Sequence, residues 1–143
     1  MKAPQSLNLL EIRKTLSADP QAVFNALTQV EFLNQWFYAM DEGSAKTEVD
    51  LKPGGKYSIA MINKEGESVA TPYGEFLEID PPKKLSMTWI TDGFVDHSVL
   101  TFILKEVEGG TEITLSHELP EPAIEPHRGG WATCFEHLET ILK

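Results

Sequence analysis

Asp50-Leu51-Lys52-Pro53-Gly54-Gly55-Lys56-Tyr57 is the run whose reading decides the fold. The proline presets one backbone angle, and the two glycines tolerate conformations closed to other residues, so the run predicts a tight turn. Tyr57, Ile59 and Met61 then alternate with Ser58 and Ala60, the period of a strand with one buried face. Outward from there, alternating runs recur at 46–49, 57–62, 69–79, 84–90, 98–107 and 111–117. They are separated by residues 63–67 and by Asp80-Pro81-Pro82, Asp92-Gly93 and Glu108-Gly109-Gly110, each a turn signal. Connections this short join antiparallel neighbours, because a parallel pair needs a crossover of about a dozen residues. Pro72 and Gly74 interrupt one run and predict an edge, a bulge or a bend there, which helps a sheet to curve.

The flanks supply the remaining elements. Residues 7–16 alternate Leu10, Ile12 and Leu16 with Glu11, Arg13 and Thr15 and predict a first strand. Asp19-Pro20 is a helix start, with a capping carboxylate and a proline suited to the first helical position. Thr28 followed by Glu31 is a capping-box pattern and predicts a second start. Two short helices are therefore expected over 20–36. Pro120, Pro122 and Pro126 punctuate a segment expected to be irregular. Trp131, Cys134, Phe135, Leu138, Ile141 and Leu142 then follow a helical stripe, and a long last helix is expected over about 128–142. Gly129 and Gly130 fall at its expected start.

Composition bounds what such a chain does. Its 143 residues suit one domain, 1–143, and 41% hydrophobic residues suffice for a core without a staple. The lone Cys134 excludes an internal disulfide. Twelve basic against 22 acidic residues give a formal net charge of −10, which argues against nucleic acid and anionic membrane surfaces as partners. No apolar run approaches the roughly 20 residues that cross a bilayer. Met1 to Ser6 shows no long apolar region after Lys2, so no signal peptide is expected, and the default location is cytoplasmic.

A curved sheet laid around one long helix cannot close flush along its whole length, so an apolar cavity with a few polar groups is expected between them. The sequence resembles the SRPBCC, or START-like, superfamily. Within that group it is similar to the family named for the activator of the heat-shock-protein-90 ATPase. The resemblance is carried by residues 23–28, by 31–37 ending in Trp36-Phe37, and by Asp50 to Gly55. It continues through residues 74–85, Thr88-Trp89, 110–117 and Gly130-Trp131, and so covers almost the whole chain. It implies an α+β helix-grip (START-like, Bet v-like) fold, a curved antiparallel sheet around a long C-terminal helix with two short helices after the first strand. Relatives in the superfamily include co-chaperone domains, polyketide cyclases and lipid carriers. Family members usually carry a proline soon after the Trp-Phe pair; Tyr38-Ala39-Met40 stands there instead, a departure expected to alter the cavity mouth.

The candidate ligand-binding residues are those that such a cavity would gather. Trp36 and Phe37 would close one end, or simply pack a short helix on the sheet. Tyr57, Ile59, Met61, Phe76, Met87 and Trp89 would form the sheet wall, with methionines giving it tolerance of shape. Trp131, Phe135 and Leu138 would face it from the last helix, beside a Cys134 that reads as an inert buried thiol. His117 continues the alternation of Ile113 and Leu115, so it either points inward to a ligand's polar head or is a strand-end histidine satisfied by backbone. No pair among His97, His117, His127 and His137 has metal-ligand spacing, and no metal or other cofactor is expected. Gly54-Gly55-Lys56 lacks the spacing of a phosphate loop, and Asp96-His97-Ser98 is a poor triad because adjacent strand residues face opposite sides. Glu31, Asp41, Glu42 and Glu75 would serve acid–base chemistry only if buried beside a substrate.

Three functions follow in order of preference. The first is a binding protein for a small apolar or amphipathic ligand (a lipid, polyketide or aromatic) with no catalytic residues. The second is a chaperone-associated interaction domain, which only the resemblance motivates. The third is a cyclase- or hydrolase-like enzyme, which needs an inward dyad of His117 with a carboxylate. The assembly expected is a monomer or homodimer.

Overall fold

A computed structural model describes residues 7–142, apart from the side chain of His97. Met1 to Ser6, on which the signal-peptide expectation rests, and Lys143 lie outside it. The Pro53-Gly54-Gly55 turn forms as the sequence predicts. Gly54 takes a φ of 81°, and a Cβ on Gly55 would sit 2.0 Å from the Asp50 carbonyl oxygen, so only glycine fits there. The turn also clips onto the strand beside it: Gly54 N donates to Phe76 O at 2.8 Å, and Phe76 N donates to Gly55 O at 2.9 Å.

The chain runs β1 (Leu7–Leu16), α1 (Pro20–Thr28), α2 (Val30–Trp36), β2 (Gly43–Val49), β3 (Lys56–Asn63), β4 (Ser68–Ala70), β5 (Tyr73–Asp80), β6 (Lys84–Thr91), β7 (Val95–Val107), β8 (Gly110–Pro120) and α3 (Glu121–Ile141). The strands form one sheet in the order β1-β8-β7-β6-β5-β3-β2, every pairing antiparallel, with β4 paired to β3 off that path. The sheet curls around α3, and α1 and α2 connect its two edge strands. This is the helix-grip architecture that the sequence predicts.

Four details depart from the sequence reading. The run 69–79 is two strands, because Pro72 offers no N–H to a ladder and the pairing of β3 shifts register between Met61 and Ile62. Strands β2 and β7 begin three residues earlier than expected, at Gly43 and Val95. Asp19 caps α1 as predicted, accepting from Ala22 N at 2.8 Å, but Thr28 caps nothing. Its hydroxyl donates back to Phe24 O at 2.9 Å as the last residue of α1, and Gln29 precedes α2 without a side-chain cap. Finally, α3 starts at Glu121, so the proline-rich segment is helical and Gly129 and Gly130 are interior residues. Pro122 falls in the first turn, where helical N–H groups have no intrahelical partner, which explains why it does not break the helix.

The inner face of the sheet and the inward stripe of α3 make the core. Leu10, Leu16, Leu85, Leu100, Phe102, Ile113 and Leu115 are buried and meet Trp131, Cys134, Phe135 and Leu138. Each fully buried side chain of this size stabilises the fold by about 1.5–3 kcal/mol relative to exposure. Short polar ties fix the smaller helices on the sheet. Trp36 Nε1 donates to Ala26 O at 2.7 Å, joining α2 to α1. Asn34 Oδ1 accepts from both the backbone N and the hydroxyl of Thr47, joining α2 to β2.

Candidate functional site

Sheet and helix part where the first half of α3 crosses the ends of β3 and β6. Two helix-weakening features lie in that half, Pro126 and the Gly129-Gly130 pair, and a Cβ on Gly130 would meet Ala39 Cβ at 3.3 Å. The helix therefore approaches the segment after α2 closely at one point and leaves space beside it. A cavity of about 180 Å³ results. Its sheet wall is Met61, Trp89 and Thr91, and its helix wall is Pro126, His127, Gly130, Trp131 and Cys134. Phe37, Ala39, Ala70, Pro72 and Phe94 close it from the connections and from β4.

The lining is dominated by aromatic rings. Phe37 lies nearly parallel to Trp89, with ring centres 6.0 Å apart, and tilts against Trp131 at 5.2 Å. Trp89 and Trp131 are 5.6 Å apart. Phe94, 46% exposed on the β6–β7 turn, stacks on His127 at 5.5 Å. A hollow of about 610 Å³ also lies between residues 17–19 and 106–110, but it is a surface groove walled by Asp19, Glu106 and Glu108 and offers an apolar molecule no enclosure.

Phe37, Met61, Trp89 and Trp131 are the sequence candidates that meet at the cavity. The others are placed elsewhere. Trp36, Ile59, Phe76, Met87, Phe135 and Leu138 are core residues away from the lining. Tyr57 is buried beneath the sheet surface, its hydroxyl donating to Thr88 O. Their alternation marks the inner face, whose residues form the buried core, and the cavity described above lies toward one end of it.

His117 sits behind the wall and is fully buried. Trp131 Nε1 donates to its Nδ1 at 3.2 Å, and its Nε2 lies 3.2 Å from Ser98 Oγ, which also lies 2.9 Å from Trp89 O. An indole N–H only donates, so Nδ1 carries the lone pair and Nε2 the proton. The proton chain is then Trp131 to His117 to Ser98 to the Trp89 carbonyl, with every member satisfied. Burial pushes the His117 pKa down to about 3, with the nearby His127 adding to the fall. The histidine, on β8, thereby ties α3 to β7 and, through Ser98, to the Trp89 carbonyl on β6. Among the described residues its hydrogen-bond partners are Trp131 and Ser98 and include no carboxylate. Glu31, Asp41, Glu42 and Glu75 are exposed, as is Asp96, while Ser98 is buried.

Two features of the wall escape the sequence reading. Trp89 Nε1 is buried with no hydrogen-bond partner among the described residues, an unusual condition for an indole in a core. His127, expected only to fail as a metal ligand, lines the cavity with Nδ1 2.9 Å from Ala123 O. Burial lowers its pKa, against the opposing effect of that carbonyl. Cys134 also lines the cavity, and burial raises its thiol pKa far above the ordinary value, which keeps it protonated. His137 is apart from the site, with Nε2 2.7 Å from Met40 O and its ring stacked on Tyr38.

Residues 17–143 match the family described as Activator of Hsp90 ATPase homolog 1-like protein. The chain belongs to that family. No curated protein matches it. Among solved structures it is similar to a protein of Nitrosomonas europaea at 26% identity, covering 94% of this chain and 93% of that one with a TM-score of 0.80. A Chromobacterium violaceum protein is 21% identical over 94% of this chain and 96% of its own, with a TM-score of 0.82. The AHSA1-like protein of Aeromonas hydrophila, solved in solution, is 18% identical over 93% and 90%, at 0.80. Membership of the Activator of Hsp90 ATPase homolog 1-like family thus agrees with the SRPBCC-type helix grip described above. Ala39, in the segment after Trp36-Phe37, lines the cavity. Among the described residues no helix is long and apolar enough to cross a membrane.

Proposed function

We propose that the protein binds one small, mostly apolar molecule between the sheet and the first half of α3. The observation that carries the reading is the cavity of about 180 Å³ walled by Phe37, Met61, Trp89 and Trp131. Its size narrows the ligand. A dry cavity of roughly 150 Å³ accommodates benzene, whereas sites for drug-sized molecules run roughly 300–1,000 Å³. A one-ring aromatic or a compact aliphatic fits within it; a flavonoid, a polyketide or a whole fatty acid would have to extend through its open side or move the wall. The reading places the protein in the cytoplasm, as a monomer or homodimer, with no nucleic-acid partner, in keeping with a net charge of −10.

Titration with toluene, a flavonoid and a fatty acid, followed by amide and indole NMR, tests it. Saturable shifts confined to the Phe37, Met61, Trp89 and Trp131 neighbourhood are expected with toluene and not with the larger pair. No saturable shift with any of them would remove the reading. A chaperone partner rests on the family's description alone, and a pull-down with the chaperone tests that alternative.

A further inference from the structure

The cavity wall is apolar but not uniformly so. Its side chains with nitrogen or oxygen are Thr91, His127 and the two indoles. Trp131 Nε1 is already committed to His117. Among the described residues no lysine, arginine or carboxylate lines the space, so a charged ligand head would be buried without a counter-charge there.

His127 is the group left with capacity. The Ala123 carbonyl can only accept, so Nδ1, 2.9 Å away, carries the proton and donates. The neutral ring then holds its lone pair at Nε2, to which none of the described residues donates. Burial favours that neutral form. An acceptor on an apolar wall discriminates in favour of a ligand that brings a donor, because an ether or carbonyl oxygen would face it lone pair to lone pair. A hydroxyl is the smallest group that supplies that donor. The rings of Phe37, Trp89 and Trp131 around a volume of about 180 Å³ suit a flat ring of benzene size.

We infer that the ligand is a single-ring aromatic bearing a hydroxyl, which it donates to Nε2 of His127. This rests on the apolar-ligand reading above and names the chemistry of that same site.

Phenol and toluene have nearly the same shape, and they separate the two claims. A wholly apolar cavity prefers toluene, because stripping water from a hydroxyl without replacing the hydrogen bond is costly. The inference expects phenol to bind the wild-type protein at least as tightly as toluene. In H127L, the ratio of phenol to toluene affinity should fall about tenfold or more, the effect of stranding one hydrogen-bonding group. A second readout needs no substitution: the Nε2 nitrogen resonance of His127 should move on adding phenol and stay in place with toluene. Toluene favoured over phenol in both proteins, or a ratio of phenol to toluene affinity indifferent to H127L with an unmoved Nε2 resonance, overturns the inference and leaves the apolar-ligand reading standing. If neither molecule binds at millimolar concentration, both fail.

Discussion

His117 bears on stability through the proton it refuses. In the unfolded chain it titrates near 6.5, while in the fold burial pushes it to about 3. Above 6.5 both states are neutral, and its contribution is fully present. Between 6.5 and about 3 the unfolded chain holds the proton and the folded chain does not, so stability falls as pH falls. The slope from one such group is about 1.4 kcal/mol per pH unit. Urea unfolding at pH 7 and pH 5 should therefore show a loss to which His117 contributes about 2 kcal/mol, with the lowered pKa of His127 adding in the same direction. His117→Gln should shrink that difference by about the same amount; an unchanged pH dependence in the variant would contradict the assignment. The inward direction of His117 was legible in its alternation with Ile113 and Leu115. Its partners were not, because Ser98 and Trp131 are 19 and 14 residues away and meet it only through the register of β7 on β8 and the placement of α3.

At the scale of elements, α3 shows what residue preference alone misjudges. Prolines at 120, 122 and 126 read as breakers, yet the helix begins at Glu121, since the first turn has no N–H groups to lose. Pro126 and the glycine pair remain unfavourable by propensity, and tertiary packing of Ala123, Trp131 and the stripe beyond them overrides it. Gly129 isolates the propensity term. It is exposed, and a Cβ there would meet nothing within 4 Å. Gly129→Ala should stabilise the protein by about 0.5–1 kcal/mol, seen as a higher urea midpoint with unchanged slope. A fall in stability would mean that this half of α3 is not a regular helix. The strands were more legible, because turn glycines and alternation are local signals. Pro72 was read as an interruption, and its effect, a break into β4 and β5, follows from its missing N–H.

Across the whole molecule, the sequence reached the architecture and only part of the site. Alternation along β3 and β6 and the threes and fours of α3 name Met61, Trp89 and Trp131 without any structure. Ala39, Ala70, Pro72, Phe94 and Gly130 carry no such period; they reach the cavity because the curl of the sheet brings connections from distant parts of the chain to one end of α3. Core and cavity wall are the same apolar pattern in sequence, and they differ only in whether the opposite surface arrives. At this end of α3 it does not arrive. A crystal soaked in bromobenzene tests it directly, because bromine marks its own position by anomalous scattering. One strong peak is expected among Phe37, Met61, Trp89 and Trp131, with the surrounding side chains shifted little. Full soaking with no peak there, or a peak only in the acidic groove beside Asp19 and Glu106, would contradict it.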